Sequence, residues 1–369
     1  VPPAPAPPRR PVPRPPSRAA RTTTTTDVLA LGEVMLRLDP GEVRIRAARR
    51  FAVHEGGGEY NVARAAAAVH GLRAGVVTAL VDDEVGRLVE DLVLASGVDT
   101  RWVRWEQPGG PVPRRNGLNF TERGHGVRGA LGVSDRARTA VAALAPGDLP
   151  WEEVLGGTRW FHTGGVFAAL SPTTTETAAR AMRTARALGV PVSFDTNFRR
   201  SLWAARGGQQ AARATTRSLV TSCDVLIGSA WDLLPGTGAL PGDDPAAARA
   251  AFEAGVARIR AVAPGVRVVA TTRRLVRSAS RNAWGAFAWS RSDGVHAVPG
   301  HDDLEVLDRV GSGDAFAAGL VAGLLRGDRL PDALERAVAT GALAMTTPGD
   351  AAHGPLPATA VARRKDPAA

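Results

Sequence analysis

From Asp27 to about Pro357 the chain alternates two hydrophobic rhythms. "DVLALGEVMLRL" opens as a continuous apolar run and passes into alternation, the pattern of a buried strand leading into a half-buried one. "EYNVARAAAAVHG" (59–71) then carries an apolar face at helical spacing and closes on Gly71. "AGVVTAL" predicts a strand, and "DDEVGRLVEDLVLASG" (82–97) an acid-capped helix ending at Gly97. The rhythm returns in the strand "RWFHTGG" and in a helix with Ser171 as N-cap, Pro172 at N1 and Gly189 as stop. "VPVSFDTN" and "DVLIG" read as strands with a helix between them. "VRVVATT" (266–272) and "GAFAWS" (285–290) follow as strands, then two helices near 313–326 and 331–345. Strands alternating with helices predict an open α/β sheet covered on both faces, with ligands bound outside the strands' carboxyl ends.

Two stretches break this rhythm. Residues 36–55 and 101–125 read as short, polar, partly alternating strands that can pair into a small sheet over the site, a lid that excludes water. Residues 1–26, rich in Pro, Arg and Thr, cannot bury a core and lack the apolar run of a secretory signal; they read as a disordered extension. The tail 358–369 is similar, which leaves 27–357 as the folded body.

Composition narrows the chemistry. There is no run of 18 apolar residues, so no membrane span is expected. Cys223 is the single cysteine and the seven histidines are scattered, which excludes a disulfide framework and argues against a structural zinc site; a reducing cytoplasm fits. The net charge of +10 includes Arg9, Arg10, Arg14, Arg18 and Arg21 of the extension. The other basic residues are dispersed, so nucleic acid is not the expected partner. The only lysine is Lys365, so neither a Walker A loop, nor a protein-kinase strand lysine, nor a Schiff base is available.

"DRVGSGDAFAAG" (308–319) carries the most chemistry. Gly311 and Gly313 let the backbone N–H groups of 311–314 converge at a helix N-terminus, an anion hole suited to phosphate. Asp314 sits among these donors, with a pKa expected to stay low, and can take a proton from a hydroxyl while the N–H groups steady a phosphoryl group. The small residues after it keep the helix slim for a flat ligand or another backbone. Alone, such a loop reads equally well as a tight turn with an aspartate favouring the positive helix end. Two further clusters support the chemical reading. "GGGEYN" places a glycine turn before Asn61, whose amide can read sugar hydroxyls or cap the helix. "FDTNFRRSLW" ends a strand with Asp195, Asn197 and Arg199, and Arg199 can grip a carboxylate in bidentate fashion.

Taken together, "GGGEYNVARA", "FHTGGVFAALSP", "FDTNFRRSLW", "DRVGSGDAFAAGLVAGLL" and "GALAMTTPGD" resemble the ribokinase-like (PfkB) family of carbohydrate kinases, most nearly its 2-keto-3-deoxygluconate kinase branch. The resemblance implies a ribokinase-like three-layer α/β/α sandwich with a small β-sheet lid. It also implies ATP-dependent phosphorylation of a sugar hydroxyl, with Mg²⁺. Under it Asp314 is the general base and Gly311, Ser312 and Gly313 form the anion hole. Gly57, Gly58 and Asn61 hold the sugar, with Arg123 nearby, and Arg199 holds the acid. Thr272, Arg273, Gly313, Thr347 and Gly349 line the nucleotide pocket, and Asp308 organises the loop with a monovalent cation. The family's usual Asn-x-x-Glu, which organises Mg²⁺, is replaced here by Ser229 and Asp232 with Trp231 between them, so Asp232 is the expected Mg²⁺ carboxylate. Pairing of two copies through the lid is implied as well. The alternatives are a kinase for a neutral sugar or a nucleoside, or a catalytically weak sugar- or nucleotide-binding homologue.

Overall fold

Strand β1 (Val28–Leu31) is buried at every position, as a strand covered on both faces must be. In the computed structural model, which describes residues 25–228, Leu240 and residues 244–357, β1 lies within a nine-stranded sheet. From β1 the chain makes β2 (Met35–Asp39), β3 (Ala52–Gly56) and helix α1 (Gly58–Ala68), then β4 (Ala74–Val81), α2 (Glu84–Ala95) and β5 (Val98–Glu106). Next come β6 (Gly117–Glu122), β7 (Leu131–Asp135), α3 (Trp151–Leu155), β8 (Phe161–Gly164), α4 (Gly165–Ala169), α5 (Pro172–Ala187) and β9 (Val192–Asp195). The chain continues through α6 (Arg200–Trp203), α7 (Gly208–Val220), β10 (Val225–Ile227), α8 (Pro245–Val262) and β11 (Val268–Val276). It ends with β12 (Arg281–Ser290), β13 (Gly294–Glu305), α9 (Ser312–Arg326) and α10 (Leu330–Met345).

The large sheet runs β13-β12-β11-β10-β9-β8-β1-β4-β5, parallel from β11 to β5, with β12 and β13 antiparallel at one edge. Successive side chains on a strand face opposite ways, so each strand feeds two cores. Val28, Ala30, Val76, Ile227 and Ala270 pack with α1, α9 and α10. Leu29, Leu31, Val77, Leu226 and Val269 pack on the other face with α5, α7 and α8. The result is the three-layer sandwich expected. Ser171 and Thr174 close a capping box on α5, with Pro172 in its first turn. The slim face of α9 serves a neighbouring backbone: a Cβ on Gly319 would stand 2.8 Å from the Ala337 Cα, and one on Gly323 at 2.8 Å from the Ala333 Cα. Among the described residues no helix is long and apolar enough to cross a membrane.

A separate four-stranded sheet, β3-β2-β6-β7, forms the small layer. Its boundaries correct the sequence reading. Residues 101–106 belong to β5, which pairs with β4 in the large sheet, and the outer strand of the small sheet is Leu131–Asp135 instead. β5 is an edge strand with one half-exposed face, which gives it the mixed polarity of a lid strand. β7 is exposed at all five positions, and its apolar alternation is limited to Leu131 and Val133, too short to mark a strand.

Candidate active site

β1 and β8 are neighbours, yet the chain proceeds outward from β1 to β4 and β5 on one side, and from β8 to β9 and β10 on the other. A sheet that reverses its winding leaves a crevice at the strands' carboxyl ends, where such folds bind ligands. Three predicted segments converge there: the start of α1, the turn after β9 and the start of α9.

Gly311 is the N-cap of α9, with φ +76°, and a Cβ on it would lie 1.6 Å from the Asp350 carbonyl oxygen. Both the left-handed backbone and the contact demand glycine. Around Gly313 a Cβ would meet no described atom within 4 Å outside its own helix turn. The free N–H groups at the start of α9 are the donors from which a phosphate cradle is built. The Ser312 hydroxyl donates to the Arg309 carbonyl at 3.0 Å, which holds the turn.

Asp314 is 8% exposed. Asn61 Nδ2 donates to its Oδ2 at 2.8 Å, and Asn197 Nδ2 reaches its Oδ1 at 3.5 Å. The expected low pKa is corrected. Burial raises it from 3.8 to about 6, against the Asn61 hydrogen bond and the charge of Arg199, both of which lower it. Two more carboxyls are buried alongside. Asp195 is pushed up to about 8, first by burial and then by the Asp314 charge. Glu59 rises to about 7 for want of water, and its Oε1 accepts the Phe167 N–H at 2.9 Å.

The other predicted residues distribute as follows. Asn61 belongs to the site, but its amide is already engaged, with Oδ1 accepting the Gly57 N–H at 3.3 Å. A Cβ on Gly57 would lie 1.8 Å from the Glu33 carbonyl oxygen, so this glycine lets α1 abut the end of β1. A Cβ on Gly58 would lie 3.3 Å from Asn197 Nδ2, so Gly58 faces the turn after β9. Arg199, the N-cap of α6, bears electrostatically on both Asp314 and Asp195. Among the described residues Arg123 does not pair with Asp314 or its neighbours; its Nε lies 3.2 Å from Asp39 Oδ2. Thr272 and Arg273 lie on β11 beyond Ala270, the last residue paired with β10, so they overhang the carboxyl edge. Thr347 donates its hydroxyl to the Leu343 carbonyl at 3.0 Å, and Gly349 takes φ +93° beside His54. A cleft of about 340 Å³ lies between loop Gly124–Ala130, turn Val276–Ala279 and Val306–Arg309, and Thr272, Arg273, Thr347 and Gly349 do not line it. Asp308 accepts the Val310 N–H on Oδ1 at 3.1 Å and the buried Arg37 on Oδ2. Ser229, Trp231 and Asp232 lie outside the described residues.

Sequence reasoning did not single out Arg37, Arg274 or Arg309 for this region, took in Asp350 only as the end of the "TTPGD" segment (346–350) expected at the nucleotide pocket, and left Asn197 as part of a polar crowd. Arg274, beside Arg273 on β11, has its pKa lowered by desolvation and by the charges of Arg309 and Arg199, so cationic groups gather on this side of Asp314. The arginines at 274 and 309 adjoin motif positions, which was the one available signal.

The family described as pfkB family carbohydrate kinase matches residues 25–358. A 2-dehydro-3-deoxygalactonokinase of Haloferax volcanii is 31% identical over 329 residues, 89% of this chain and 93% of the relative. A 2-dehydro-3-deoxygluconokinase of Thermoproteus tenax is 29% identical over 338 residues, 89% and 91% of the two chains. Among solved structures, the 2-dehydro-3-deoxygluconokinase of Thermotoga maritima superposes with a TM-score of 0.78 at 30% identity, covering 90% of this chain and 97% of that one.

Proposed function

The chain belongs to the pfkB family of carbohydrate kinases, and from that premise we propose that it transfers the γ-phosphoryl group of ATP to a hydroxyl of a 2-keto-3-deoxy sugar acid. The observation that carries the reading is a buried carboxylate, Asp314, fixed by Asn61 at the N-terminus of a 15-residue helix, where among the described residues nothing outside the helix crowds a Cβ on Gly313. With a pKa of about 6, Asp314 is ionised at neutral pH yet basic enough to take a proton.

In this mechanism the acceptor hydroxyl gives its proton to Asp314 as its oxygen bonds to the γ-phosphorus. The bond from that phosphorus to the β,γ-bridging oxygen breaks, and ADP leaves. The N–H groups of Gly311, Ser312, Gly313 and Asp314 stabilise charge on the transferring group, a dipole already in place before reaction. Arg199, whose charge already bears on Asp314 and Asp195 in this crevice, takes the substrate carboxylate through its planar fork. Asn61 and Asn197 orient the base. Mg²⁺ would enter with ATP and neutralise phosphate charge; the carboxylate expected to hold it, Asp232, lies outside the described residues. Pairing of two copies through the small sheet is supported by the exposed Leu131 and Val133 of β7, and light scattering tests it.

The deciding experiment is ADP release with ATP, Mg²⁺ and 2-keto-3-deoxygluconate, its galactonate epimer, fructose or ribose, with Asp314→Asn alongside. Turnover on a keto acid that disappears in the variant is the expected result. Inertness toward all four acceptors, with ATP still bound, sinks the reading.

A further inference from the structure

Arg37 projects from β2 of the small sheet with a side chain that is 0% exposed, and it meets three carboxylates. Its NH1 donates to Asp350 and its NH2 to Asp308, and NH2 also lies 3.2 Å from Asp39 Oδ2. These partners belong to three separated segments. Asp39 ends β2, Asp308 opens the phosphate loop, and Asp350 ends the segment whose carbonyl fills the space beside Gly311. The backbone N–H groups of Leu307 and Asp308 donate to the Met345 carbonyl at 2.8 and 3.1 Å, so the loop is pinned at its root as well. Burial works against the Arg37 charge, but the charges of Asp350 and Asp308 and their hydrogen bonds outweigh it and raise its pKa.

A monovalent cation at Asp308, implied by the family resemblance, does not fit this arrangement. Asp308 is buried, each of its oxygens already accepts a hydrogen bond, one from Val310 and one from Arg37, and the positive charge that a cation would bring is supplied by the guanidinium itself. The position beside the phosphate loop where a cation would balance Asp308 and Asp350 is filled by a guanidinium. A planar fork bridges two carboxylates with fixed geometry, which an exchangeable ion does not.

We infer that Arg37 is a positioning residue, the built-in cation of the phosphate loop, and that it frees this chain from any requirement for potassium. The inference rests on the proposed use of that loop to hold ATP phosphates. Arg37 touches neither reactant; it holds residues 308–314 in the shape that presents their N–H groups.

The test measures ATP affinity by calorimetry, with no acceptor present, in tetramethylammonium chloride and in potassium chloride at equal ionic strength. Wild-type affinity is expected to be the same within twofold, and a tenfold gain in potassium overturns the inference. Arg37→Gln is expected to weaken ATP at least tenfold and to regain part of that loss in potassium or in millimolar guanidinium. Wild-type affinity in that variant overturns the inference, and so does a loss that neither cation relieves while the melting temperature is unchanged. Should the Gln variant not fold, Arg37→Lys keeps the charge without the fork: weaker ATP binding supports the inference, and unchanged binding overturns it. Because no acceptor enters, failure of the sugar-kinase reading appears separately, as absence of turnover by a protein that binds ATP normally.

Discussion

Asn61 Nδ2 stands 2.8 Å from Asp314 Oδ2, a hydrogen bond between the first turns of two helices 253 residues apart in sequence. It favours the charged carboxylate and so opposes the burial that lifts the pKa to about 6. Activity should therefore fall as pH drops through about 6, where Asp314 takes up a proton and can no longer act as a base. Asn61→Ala removes a lowering influence, so the acid limb of kcat/KM should move to higher pH. A pH–rate profile of both proteins checks this, and an unmoved limb assigns the titration to another group.

Asp314 is also a stability liability. A carboxyl whose pKa is higher in the folded than in the unfolded chain binds its proton more tightly when folded. Stability is thus greatest below pH 4 as far as this group is concerned, and is lost as pH rises from 3.8 to about 6. Above that window the full cost remains, on the order of 3 kcal/mol for such a displacement. Asp314→Asn keeps an oxygen for Asn61 to donate to and removes the charge. It should unfold at higher denaturant than wild type at pH 7, while losing activity by roughly 10²–10⁴-fold. Equal midpoints at pH 7 would contradict a buried, ionised Asp314.

Asp195 lies in the same crevice, and only one of the two aspartates can be the base at neutral pH. With a pKa of about 8 Asp195 keeps its proton there, whereas Asp314 does not. Asp195→Asn preserves both that neutral state and an acceptor for the Asn197 N–H, which donates to Asp195 Oδ1 at 3.0 Å. Its kcat should stay within about threefold of wild type, far above that of Asp314→Asn. A collapse of kcat in Asp195→Asn, with melting unchanged, would exchange the two roles.

How far the sequence reaches can be judged on these same residues. The alternation of buried strands and capped helices, and the glycine loop before Asp314, lie within contiguous stretches and are legible there. The Arg37 contacts to Asp350 and Asp308 join residues 313 and 271 positions apart, and no local pattern announces them. Asn197 was visible as a polar residue at a strand end, but its reach to Asp314 across 117 positions was not. The low pKa expected for Asp314 followed from its neighbours in sequence; the raised one follows from burial, which depends on how the sheet and helices close around it. The misplaced lid strand has the same origin, since polarity alone does not separate an edge strand such as Val98–Glu106 from a lid strand.

The two glycines of the loop should fail in different ways. Gly311→Ala puts a side chain on left-handed backbone, a cost of roughly 1–2 kcal/mol before any clash, and drives it into the Asp350 carbonyl. Its melting temperature should fall. Gly313→Ala meets no described atom within 4 Å outside its own helix turn, so it should melt like wild type while its methyl intrudes on the proposed phosphate cradle and weakens ATP. Melting curves beside ATP titrations separate the two. Normal ATP binding by Gly313→Ala would place the phosphates elsewhere.

The carboxylate-binding role proposed for Arg199 makes a prediction about the kind of acceptor the site prefers. If its guanidinium grips a carboxylate, Arg199→Ala removes a charge-assisted hydrogen bond of about 2–3 kcal/mol, roughly 30–150-fold in KM for a keto acid. Arg199→Lys should recover only part of this, because an ammonium offers no planar fork. The same residue lowers the Asp314 pKa, so its loss should also lift the acid limb of the pH profile for every acceptor. The two effects are separable: the first strikes KM for acids alone, the second strikes acids and neutral sugars equally and fades at high pH. KM for 2-keto-3-deoxygluconate and for fructose should therefore be measured at pH 8.5, where Asp314 is ionised in either protein. A selective rise for the acid assigns Arg199 to the substrate carboxylate; equal changes for both confine it to tuning the base.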